Sequence, residues 1–275
     1  MHRLLSGPLT VERLTVEVAN LPSELRGITI TQLSDLHYDG VKLSDRLLTE
    51  AIATSNALKP DLVVLTGDFV TFASDPIQEL VQHLKTLEAT RGVYAVLGNH
   101  DCYYPKVRLK ISKALQQVGI PVLWNDICYP FGEGLAVVGL PDFWSPEFNP
   151  ASVFNTLDPK LPRLVLSHQP DSAEVLQQWR VDLQLSGHTH GGQIVIPNLG
   201  PIIAYQERAI QVTPQWIRQW IPFMRKRCDR VVKHWEWYQG FYQLNANRLY
   251  VNRGLGTYLP GRLFCSPELT EITLV

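Results

Sequence analysis

The feature that most constrains this chain is a histidine pair within the segment Leu185-Ser-Gly-His-Thr-His-Gly-Gly-Gln193. His188 and His190 are two positions apart, so in an extended backbone both side chains project from the same face. The glycines around the pair allow the chain to turn sharply and to approach an ion closely. This pattern predicts a metal-binding turn at the end of a strand. A surface turn that happens to contain two histidines remains the alternative unless other segments supply further ligands.

Further candidate ligands follow other apolar, strand-like runs. Strands are predicted at 27–33, 61–65, 93–97, 163–166 and 181–185. The polar residues that come directly after these five runs are Asp35, His37, Asp68, Asn99, His100, His168, His188 and His190. In α/β proteins, binding groups collect outside the carboxyl ends of the strands, so we expect these side chains to converge.

The predicted ligand set consists of carboxylate, amide and imidazole groups without thiolate. This combination suits Mn, Fe, Co or Zn, whereas a magnesium site would use fewer imidazoles and more water. Eight groups fit two ions rather than one. Asp68 follows a buried strand and is costly to bury as an anion unless cations pair with it, which favours a bridging position between the ions.

Hydrophobic periodicity predicts the remaining elements. A helix capped by Ser44 or Asp45 is expected to run to about Leu58, and a second is expected to start with Asp75 as its cap and Pro76 at the first helical position and to bury residues as far as Leu87. Two more helices are expected at 106–118 and 171–179. Further strands are expected at 11–18, 135–140, 248–251 and 271–275. Strands alternating with helices favour an α/β protein.

Composition limits the class of protein. The 275 residues are 45% hydrophobic and carry a net charge of −1, so a sizeable core is expected and no global basic field favours nucleic acid. The four cysteines are widely spaced, as expected for reduced thiols. The first ten residues contain no apolar run long enough for a signal peptide, so a cytoplasmic location is expected, with peripheral contact at the inner membrane as an option.

Five short blocks, taken in order, resemble one known family. They are Asp35-Leu-His37, Gly67-Asp68, Gly98-Asn-His-Asp101, His168 and Gly187-His-Thr-His190. This ordered set resembles the calcineurin-like metallophosphoesterase superfamily. The extended forms 32–37 and 187–193, with Arg253-Gly-Leu-Gly-Thr257, resemble its bacterial YkuE/YaeI-type branch. The resemblance covers about Gly27 to Val275.

The resemblance implies a fold and a ligand assignment. It implies a four-layer α/β/β/α sandwich with two mixed β-sheets, formed by residues 1–275 as a single domain. The first divalent metal ion would be held by Asp35, His37, Asp68 and His190, and the second by Asp68, Asn99, His168 and His188. His100 would lie beside the ions, oriented by Asp101, and would stabilise the transition state or protonate the leaving oxygen.

The resemblance also implies an activity. Two divalent ions lower the pKa of a shared water, and a metal-bridging hydroxide would attack a phosphodiester or a pyrophosphate. A lipid-linked substrate is one specialisation, including the UDP-2,3-diacylglucosamine pyrophosphate of lipid A synthesis. The alternative from another class is a non-catalytic, metal-binding interaction scaffold, which we would expect to have lost some ligands.

The stretch at about 204–242 is an aromatic and basic insertion, longer than the core should need. It contains Trp216, Trp220, Phe223, Met224, Trp235 and Trp237 among cations such as Arg208, Arg225, Lys226, Arg227 and Arg230. This composition fits an interfacial helix on an anionic membrane, or a cap over the metal cleft that takes a lipid substrate. A cap that packs on the domain with its cations in water fits equally well. Single-stranded nucleic acid is a third and less favoured partner.

Overall fold

The computed structural model describes residues 5–219 and 232–275. Its strands are β1 (Thr10–Val16), β2 (Thr29–Leu33), β3 (Leu62–Leu65), β4 (Val93–Ala95), β5 (Asp126–Cys128), β6 (Ala136–Gly139), β7 (Arg163–Leu166), β8 (Leu183–Ser186), β9 (Val195–Ile196), β10 (Gly200–Pro201), β11 (Gly240–Leu244), β12 (Asn247–Val251) and β13 (Glu268–Leu274). Its α-helices are α1 (Asp45–Ala57), α2 (Ile77–Leu84), α3 (Pro105–Gln117), α4 (Ala151–Phe154), α5 (Ser172–Leu176), α6 (Ile202–Val212) and α7 (Gln215–Arg218).

Two large mixed sheets organise the molecule. The first has the order β1-β13-β2-β3-β4, in which only the β13–β2 pair is antiparallel. The second has the order β11-β12-β8-β7-β6-β5, in which the two outermost pairs are antiparallel. Within each sheet, the strands that precede candidate ligands are therefore parallel to one another. They are β2, β3 and β4 in the first sheet and β7 and β8 in the second.

Side-chain alternation along the central strands produces four layers. Leu62 and Val64 of β3 face the second sheet, whereas Val63 and Leu65 pack in the cluster formed with α1, α2 and α3. The second sheet repeats this arrangement, because Val137 faces inward and Val138 packs on the side of α4 and α5. Both faces of each sheet are covered, which explains why these strands are continuously apolar in sequence. The predicted α/β/β/α sandwich with two mixed sheets is confirmed.

The helix signals were partly right. Ser44 caps α1, since its hydroxyl accepts a hydrogen bond from the Leu47 amide at 3.3 Å, as the sequence predicted. The predicted aspartate cap of α2 is wrong. Pro76 occupies the N-cap position without a side-chain cap, and the Asp75 carboxylate instead pairs with the Lys110 ammonium at 2.5 Å.

Part of the aromatic and basic insertion packs on the domain. Trp237 is buried with Leu249 and Val251 on the outer face of the second sheet, and the Trp235 indole donates to the Glu207 carboxylate at 2.7 Å. Trp216 on α7 is 68% exposed. The predictions for Trp220, Phe223, Met224, Arg225, Lys226, Arg227 and Arg230 lie outside the described residues. Within the described ranges, no helix has both the length and the apolar character needed to cross a bilayer.

Candidate metal centre

The two sheets bring one group of predicted ligands together from both ends of the chain. Asp35 and His37 follow β2, and His190 lies in the turn after β8. The Nε2 atoms of His37 and His190 are 3.1 Å apart, and Nε2 of His190 lies 3.4 Å from Oδ1 of Asp35. Ligand atoms of these three residues lie within 4.8 Å of one another, a spacing that could hold a metal ion. We call this group the first half-site.

A second group lies beside the first. Asp68 follows β3, His168 follows β7 and His188 follows β8, and their ligand atoms also lie within 4.8 Å of one another. Nε2 of His168 is 3.2 Å from Oδ2 of Asp68 and 3.3 Å from Nδ1 of His188. We call this group, with Asn99, the second half-site.

Asp68 connects the two half-sites. Its Oδ2 atom lies 3.4 Å from Nε2 of His37 as well as 3.2 Å from Nε2 of His168. Its Oδ1 atom accepts a hydrogen bond from the His100 backbone amide at 2.9 Å. One carboxylate therefore faces both groups of imidazoles, the position that the sequence predicted for a bridging ligand.

The hydrogen bond at Nδ1 of an imidazole ring determines whether the opposite nitrogen, Nε2, carries a proton. In two of the candidate ligands Nε2 is the atom that faces the site. Nδ1 of His168 lies 2.6 Å from the Thr66 carbonyl, and Nδ1 of His190 lies 3.2 Å from the Gly256 carbonyl. Because a carbonyl only accepts, each Nδ1 carries the proton, and in the neutral ring Nε2 carries a lone pair. These lone pairs face other imidazoles and carboxylates in buried space. A bound cation would satisfy them.

Asn99 supports the same interpretation. Its Oδ1 atom is buried and has no hydrogen-bond partner in the part of the chain that the structure describes. A buried carbonyl oxygen without a donor is costly, and an amide oxygen is a suitable ligand for a hard or borderline cation. The residues present therefore fit a metal ion.

The pKa shifts of the ionisable groups in the site also favour a bound cation. Burial raises the pKa of Asp35 and Asp68, but the neighbouring imidazoles outweigh burial and hold both pKa values below the usual range. Burial lowers the pKa of His168, but the charge of Asp68 outweighs it and raises that pKa to about 10. Burial, opposed by Asp35, lowers the pKa of His190 to about 3. Both carboxylates are thus held as anions among imidazoles, an arrangement that favours a bound cation.

Glycines allow the ligand segments to approach this closely. A Cβ atom at Gly67 would lie 2.5 Å from the Gly98 amide nitrogen and 2.8 Å from Nδ1 of His168. A Cβ atom at Gly187 would overlap the side chains of Ser34 and Asp35. Any larger residue at these positions would push the two sheets' ligand turns apart.

Five of the candidate ligands adopt a left-handed backbone conformation. The φ angles are 51° at Asp35, 44° at His37, 57° at Asp68, 71° at His188 and 51° at His190. Residues with a Cβ atom seldom adopt this conformation, because the side chain crowds the carbonyl oxygen. The surrounding structure holds the ligand turns in this geometry.

His100 lies at the edge of the site. The prediction that Asp101 orients its ring is wrong. One of its ring nitrogens lies within 4.8 Å of ligand atoms of His37 and Asp68, but its Nδ1 atom lies 2.6 Å from the Thr71 carbonyl. The carboxylate of Asp101 is instead bonded to the backbone amides of Phe69, Val70 and Gly98 at 2.9–3.2 Å. Asp101 therefore shapes the ligand turns, and Thr71 orients the His100 ring.

A cleft of about 660 Å³ opens beside the second half-site. Asn99 and His188 line it together with Cys102, Tyr103, Pro105, Arg108, Trp124, Asp142, Trp144, Ser145, Pro146 and Glu147. Arg108 lies 4.6 Å above the Trp124 ring and donates to both oxygens of Glu147, at 2.8 and 2.9 Å. Tyr103 and Trp144 are more than half exposed. Cys102 is half-buried, and burial raises its pKa, so the thiol form predominates at neutral pH.

The segment 252–265 closes the first half-site, and sequence reasoning gave its residues no role there. The Gly256 amide donates to the Asp35 carbonyl at 2.7 Å, and the Tyr258 hydroxyl lies 3.2 Å from Nδ1 of His37. Arg262 donates to the carbonyls of Arg253, Gly254 and Gly256. The available signal was the short block Arg253-Gly-Leu-Gly-Thr257, whose two glycines indicate close backbone packing.

Comparison with known proteins agrees with the geometry. A family model described as calcineurin-like phosphoesterase matches residues 28–192, which contain every predicted ligand. The chain belongs to the calcineurin-like phosphoesterase family. Members of this family are metal-dependent phosphoric ester hydrolases, and the chain is such an enzyme.

Three relatives of this family cover most of the chain. The metallophosphoesterase YkuE of Bacillus subtilis is 32% identical over 270 residues, which span 94% of this chain and 83% of YkuE. The phosphodiesterase YaeI of Escherichia coli is 34% identical over 88% of this chain and 80% of YaeI. The UDP-2,3-diacylglucosamine pyrophosphatase LpxG of Chlamydia trachomatis is 28% identical over 97% of this chain and 88% of LpxG. The predicted resemblance is therefore confirmed along nearly the whole sequence.

Solved structures with the calcineurin-like phosphoesterase fold share the architecture. A dimetal phosphatase from Danio rerio superposes with a TM-score of 0.51 at 13% identity, over 85% of this chain and 90% of the phosphatase. TT1561 of Thermus thermophilus also gives a TM-score of 0.51, at 11% identity, over 83% of this chain and 90% of TT1561. At these identities the likeness shows the fold alone.

Proposed function

We propose that the chain hydrolyses a phosphodiester or a pyrophosphate with two divalent metal ions bound side by side. The first ion would be held by Asp35, His37, Asp68 and His190, and the second by Asp68, Asn99, His168 and His188. The observation that carries the proposal is the shared carboxylate, since Asp68 faces imidazoles of both half-sites at 3.2–3.4 Å. Mn, Fe, Co and Zn match the nitrogen and oxygen ligands.

The ions, when bound, supply a nucleophile at neutral pH and neutralise charge on the phosphoryl oxygens. The protein's own contribution is position and proton transfer. His100 is held by Thr71 through Nδ1, so the Nε2–H group of its protonated, imidazolium form would donate a proton to the leaving oxygen and leave the ring neutral. Asp101 keeps the turns around Asp68 and Asn99 in place through three backbone amides.

The cleft beside the second half-site supports a diester or pyrophosphate over a monoester. A cavity of about 660 Å³ has the size of a site for a complete organic ligand, which is about 300–1,000 Å³. Its exposed aromatic rings, Tyr103 and Trp144, offer apolar contact to the second ester arm. The segment 252–265 contributes to the same site as residues 28–192, which supports a single domain.

Metal content and substrate choice test this proposal. Purified protein loaded with Mn²⁺ or Zn²⁺ should bind two ions per chain and hydrolyse bis(p-nitrophenyl) phosphate faster than p-nitrophenyl phosphate. His100→Ala should keep both ions and lose about 10²–10⁴-fold in kcat, because only proton transfer is removed. If His100→Ala loses an ion, then His100 is a ligand. A protein that binds metal but hydrolyses neither substrate would be a scaffold.

A lipid-linked substrate at a membrane surface is a more specific proposal. It is supported by an apolar rim formed by the exposed side chains Ile196, Leu199, Ile202, Tyr205, Leu259, Leu263 and Phe264. These loops are adjacent, since the Val195 amide donates to the Leu263 carbonyl at 3.0 Å. Leu259 directly follows Tyr258, which contacts His37, so the rim borders the first half-site. Exposed apolar side chains grouped on adjacent loops are typical of a protein or membrane contact.

The relative LpxG is a pyrophosphatase of UDP-2,3-diacylglucosamine, which favours a lipid surface over a protein partner for this rim. Sedimentation with vesicles, with and without anionic lipid, tests the proposal. Leu259→Ser with Phe264→Ser should reduce vesicle binding, whereas Tyr129→Ser, an exposed aromatic position beside β5, should not. Failure of the wild-type protein to bind vesicles at low salt would remove the membrane proposal, including peripheral association at the inner membrane.

A further inference from the structure

The first half-site is completed by a segment beyond the part of the chain that the family model matches. That match ends at residue 192, whereas residues 252–265 cover Asp35, His37 and His190. The Leu255 amide donates to the Ser34 carbonyl at 3.0 Å, and the Gly256 amide donates to the Asp35 carbonyl at 2.7 Å. The backbone around the first ligands is therefore held from the C-terminal side.

Tyr258 is the residue of this segment whose side chain contacts a ligand ring. Its hydroxyl oxygen lies 3.2 Å from Nδ1 of His37, and its ring packs edge-on against His37 and His190 at centroid distances of 5.1 and 5.3 Å. The Tyr258 amide donates to Oε1 of Gln193 at 2.7 Å. The Lys42 ammonium lies over the Tyr258 ring, 5.1 Å from its centroid. Tyr258 is thus fixed from several sides with its hydroxyl on His37.

The far-side partner decides which nitrogen of a ligand histidine faces the ion. Nδ1 of His100, His168 and His190 each meets a backbone carbonyl. His37 differs, because the group at its Nδ1 atom is the hydroxyl of a side chain. Nε2 of His37 faces Nε2 of His190 and Oδ2 of Asp68, so it must be unprotonated to bind an ion there. The ring proton then resides on Nδ1, and the Tyr258 hydroxyl accepts it.

We propose that Tyr258 is a positioning residue of the metal centre, whose hydroxyl accepts the Nδ1 proton of His37 and thereby presents Nε2 to the first ion. This inference rests on the proposed ligand assignment. Far-side partners of metal-bound histidines fix the ring orientation and the tautomer, and losing one typically weakens metal affinity or activity by about 10–100-fold. Because this partner is a side chain, a substitution removes it without altering the backbone.

Competition titration of Zn²⁺ against a fluorescent chelator tests the inference. Tyr258→Phe keeps the ring and removes only the hydroxyl, and it should raise the Kd of one of the two ions by about 10–100-fold. The other ion should bind as in the wild type. Turnover at limiting Zn²⁺ should fall, and saturating Zn²⁺ should restore most of it, because Tyr258 acts through the ligand.

A second readout reports on His37 itself. In Zn²⁺-loaded protein with ¹⁵N-labelled histidine, the proton on Nδ1 of His37 should be protected from exchange in the wild type and should exchange rapidly in Tyr258→Phe. Tyr242→Phe is the matched control, since it removes a tyrosine hydroxyl that donates to the Gln239 carbonyl at 2.7 Å and not to a candidate ligand. It should change neither readout.

The outcomes separate this inference from the proposed function. Wild-type protein that binds fewer than two ions would contradict the proposed function first. Wild-type protein that binds two ions, together with unchanged Zn²⁺ affinity and unchanged exchange in Tyr258→Phe, would overturn the role of Tyr258 alone. A fall in thermal stability without either change would show that the hydroxyl is merely structural.

Discussion

The two half-sites of the metal centre share Asp68 but differ in what surrounds them. The first is enclosed, because residues 252–265 pack against Asp35, His37 and His190 through backbone and ring contacts. The second is open, because Asn99 and His188 line a cleft of about 660 Å³. The difference separates two tasks. Under the proposed function, the enclosed half-site would fix the ligand geometry, and the open half-site would admit the organic part of the substrate.

The largest expected effect comes from removing what the half-sites share. Asp68→Asn should empty both, and turnover should fall by more than the about 10²–10⁴-fold expected for loss of a general acid. Metal analysis and the phosphodiesterase rate measure this directly. Asp126→Asn, an exposed aspartate of β5, is the control and should behave as wild type. Two ions retained in Asp68→Asn would show that the half-sites are independent.

Crowding the enclosed half-site should affect one ion only. A Cβ atom at Gly256 would lie 2.8 Å from the Asp35 carbonyl oxygen and 3.1 Å from Cβ of His37. Gly256→Ala should therefore weaken one binding step in a Zn²⁺ titration and lower the free energy of unfolding by about 1–3 kcal/mol. Gly139→Ala crowds Leu123 in the core and should lower stability without changing either metal-binding step. Equal loss of both ions in Gly256→Ala would contradict the separate roles of the two half-sites.

A change in the open half-site should affect substrate and not metal. Trp144 lines the cleft and is 55% exposed, so Trp144→Ala should remove part of an aromatic contact worth about 1.5–3 kcal/mol when fully buried. The KM for a phosphodiester should rise about tenfold, with two ions still bound. Trp216→Ala, also an exposed tryptophan, is the matched control for KM. An unchanged KM in Trp144→Ala would place the substrate elsewhere.

An effect that leaves metal and substrate binding aside is expected in the pH dependence of the free energy of unfolding, measured on the metal-free protein. Burial raises the pKa of Asp142, in the cleft wall, from 3.8 to about 6. Folding therefore favours the protonated acid, and the free energy of unfolding falls as pH rises from about 4 to about 6. Asp142→Asn removes this loss, so its stability relative to wild type should be about 2 kcal/mol higher at pH 8 than at pH 4. Denaturant unfolding at both pH values, with chelator present, measures it; a constant difference would contradict the raised pKa.

The sequence predicted the central strands and the candidate ligands that converge beyond them, because both leave local signals. Strands such as β3 and β7 are continuously apolar when both faces are covered, and Asp68 and His168 follow them directly. Their convergence could be predicted from the rule that parallel strands end at one edge of a sheet. The ordered blocks then indicated the family, which the comparisons confirmed.

The outer contacts of the site could not be predicted, because they depend on residues far apart in the chain. Thr71 rather than Asp101 orients the His100 ring, and this choice is made by the turn after Asp68. Tyr258 reaches His37 across 221 positions of sequence. The cleft is built by Arg108, Trp124 and Glu147 from three separate segments, none of which carries a motif.

The left-handed backbone at five candidate ligand residues affects which substitutions would stabilise this protein. The left-handed conformation destabilises the folded protein by about 1 kcal/mol or more at each of these residues, relative to a relaxed backbone conformation. Glycine at Asp35, His37, Asp68, His188 or His190 would relieve that crowding while destroying the site. Stability and metal binding therefore place opposite demands on the same five positions, and selection for heat resistance alone would favour glycine there.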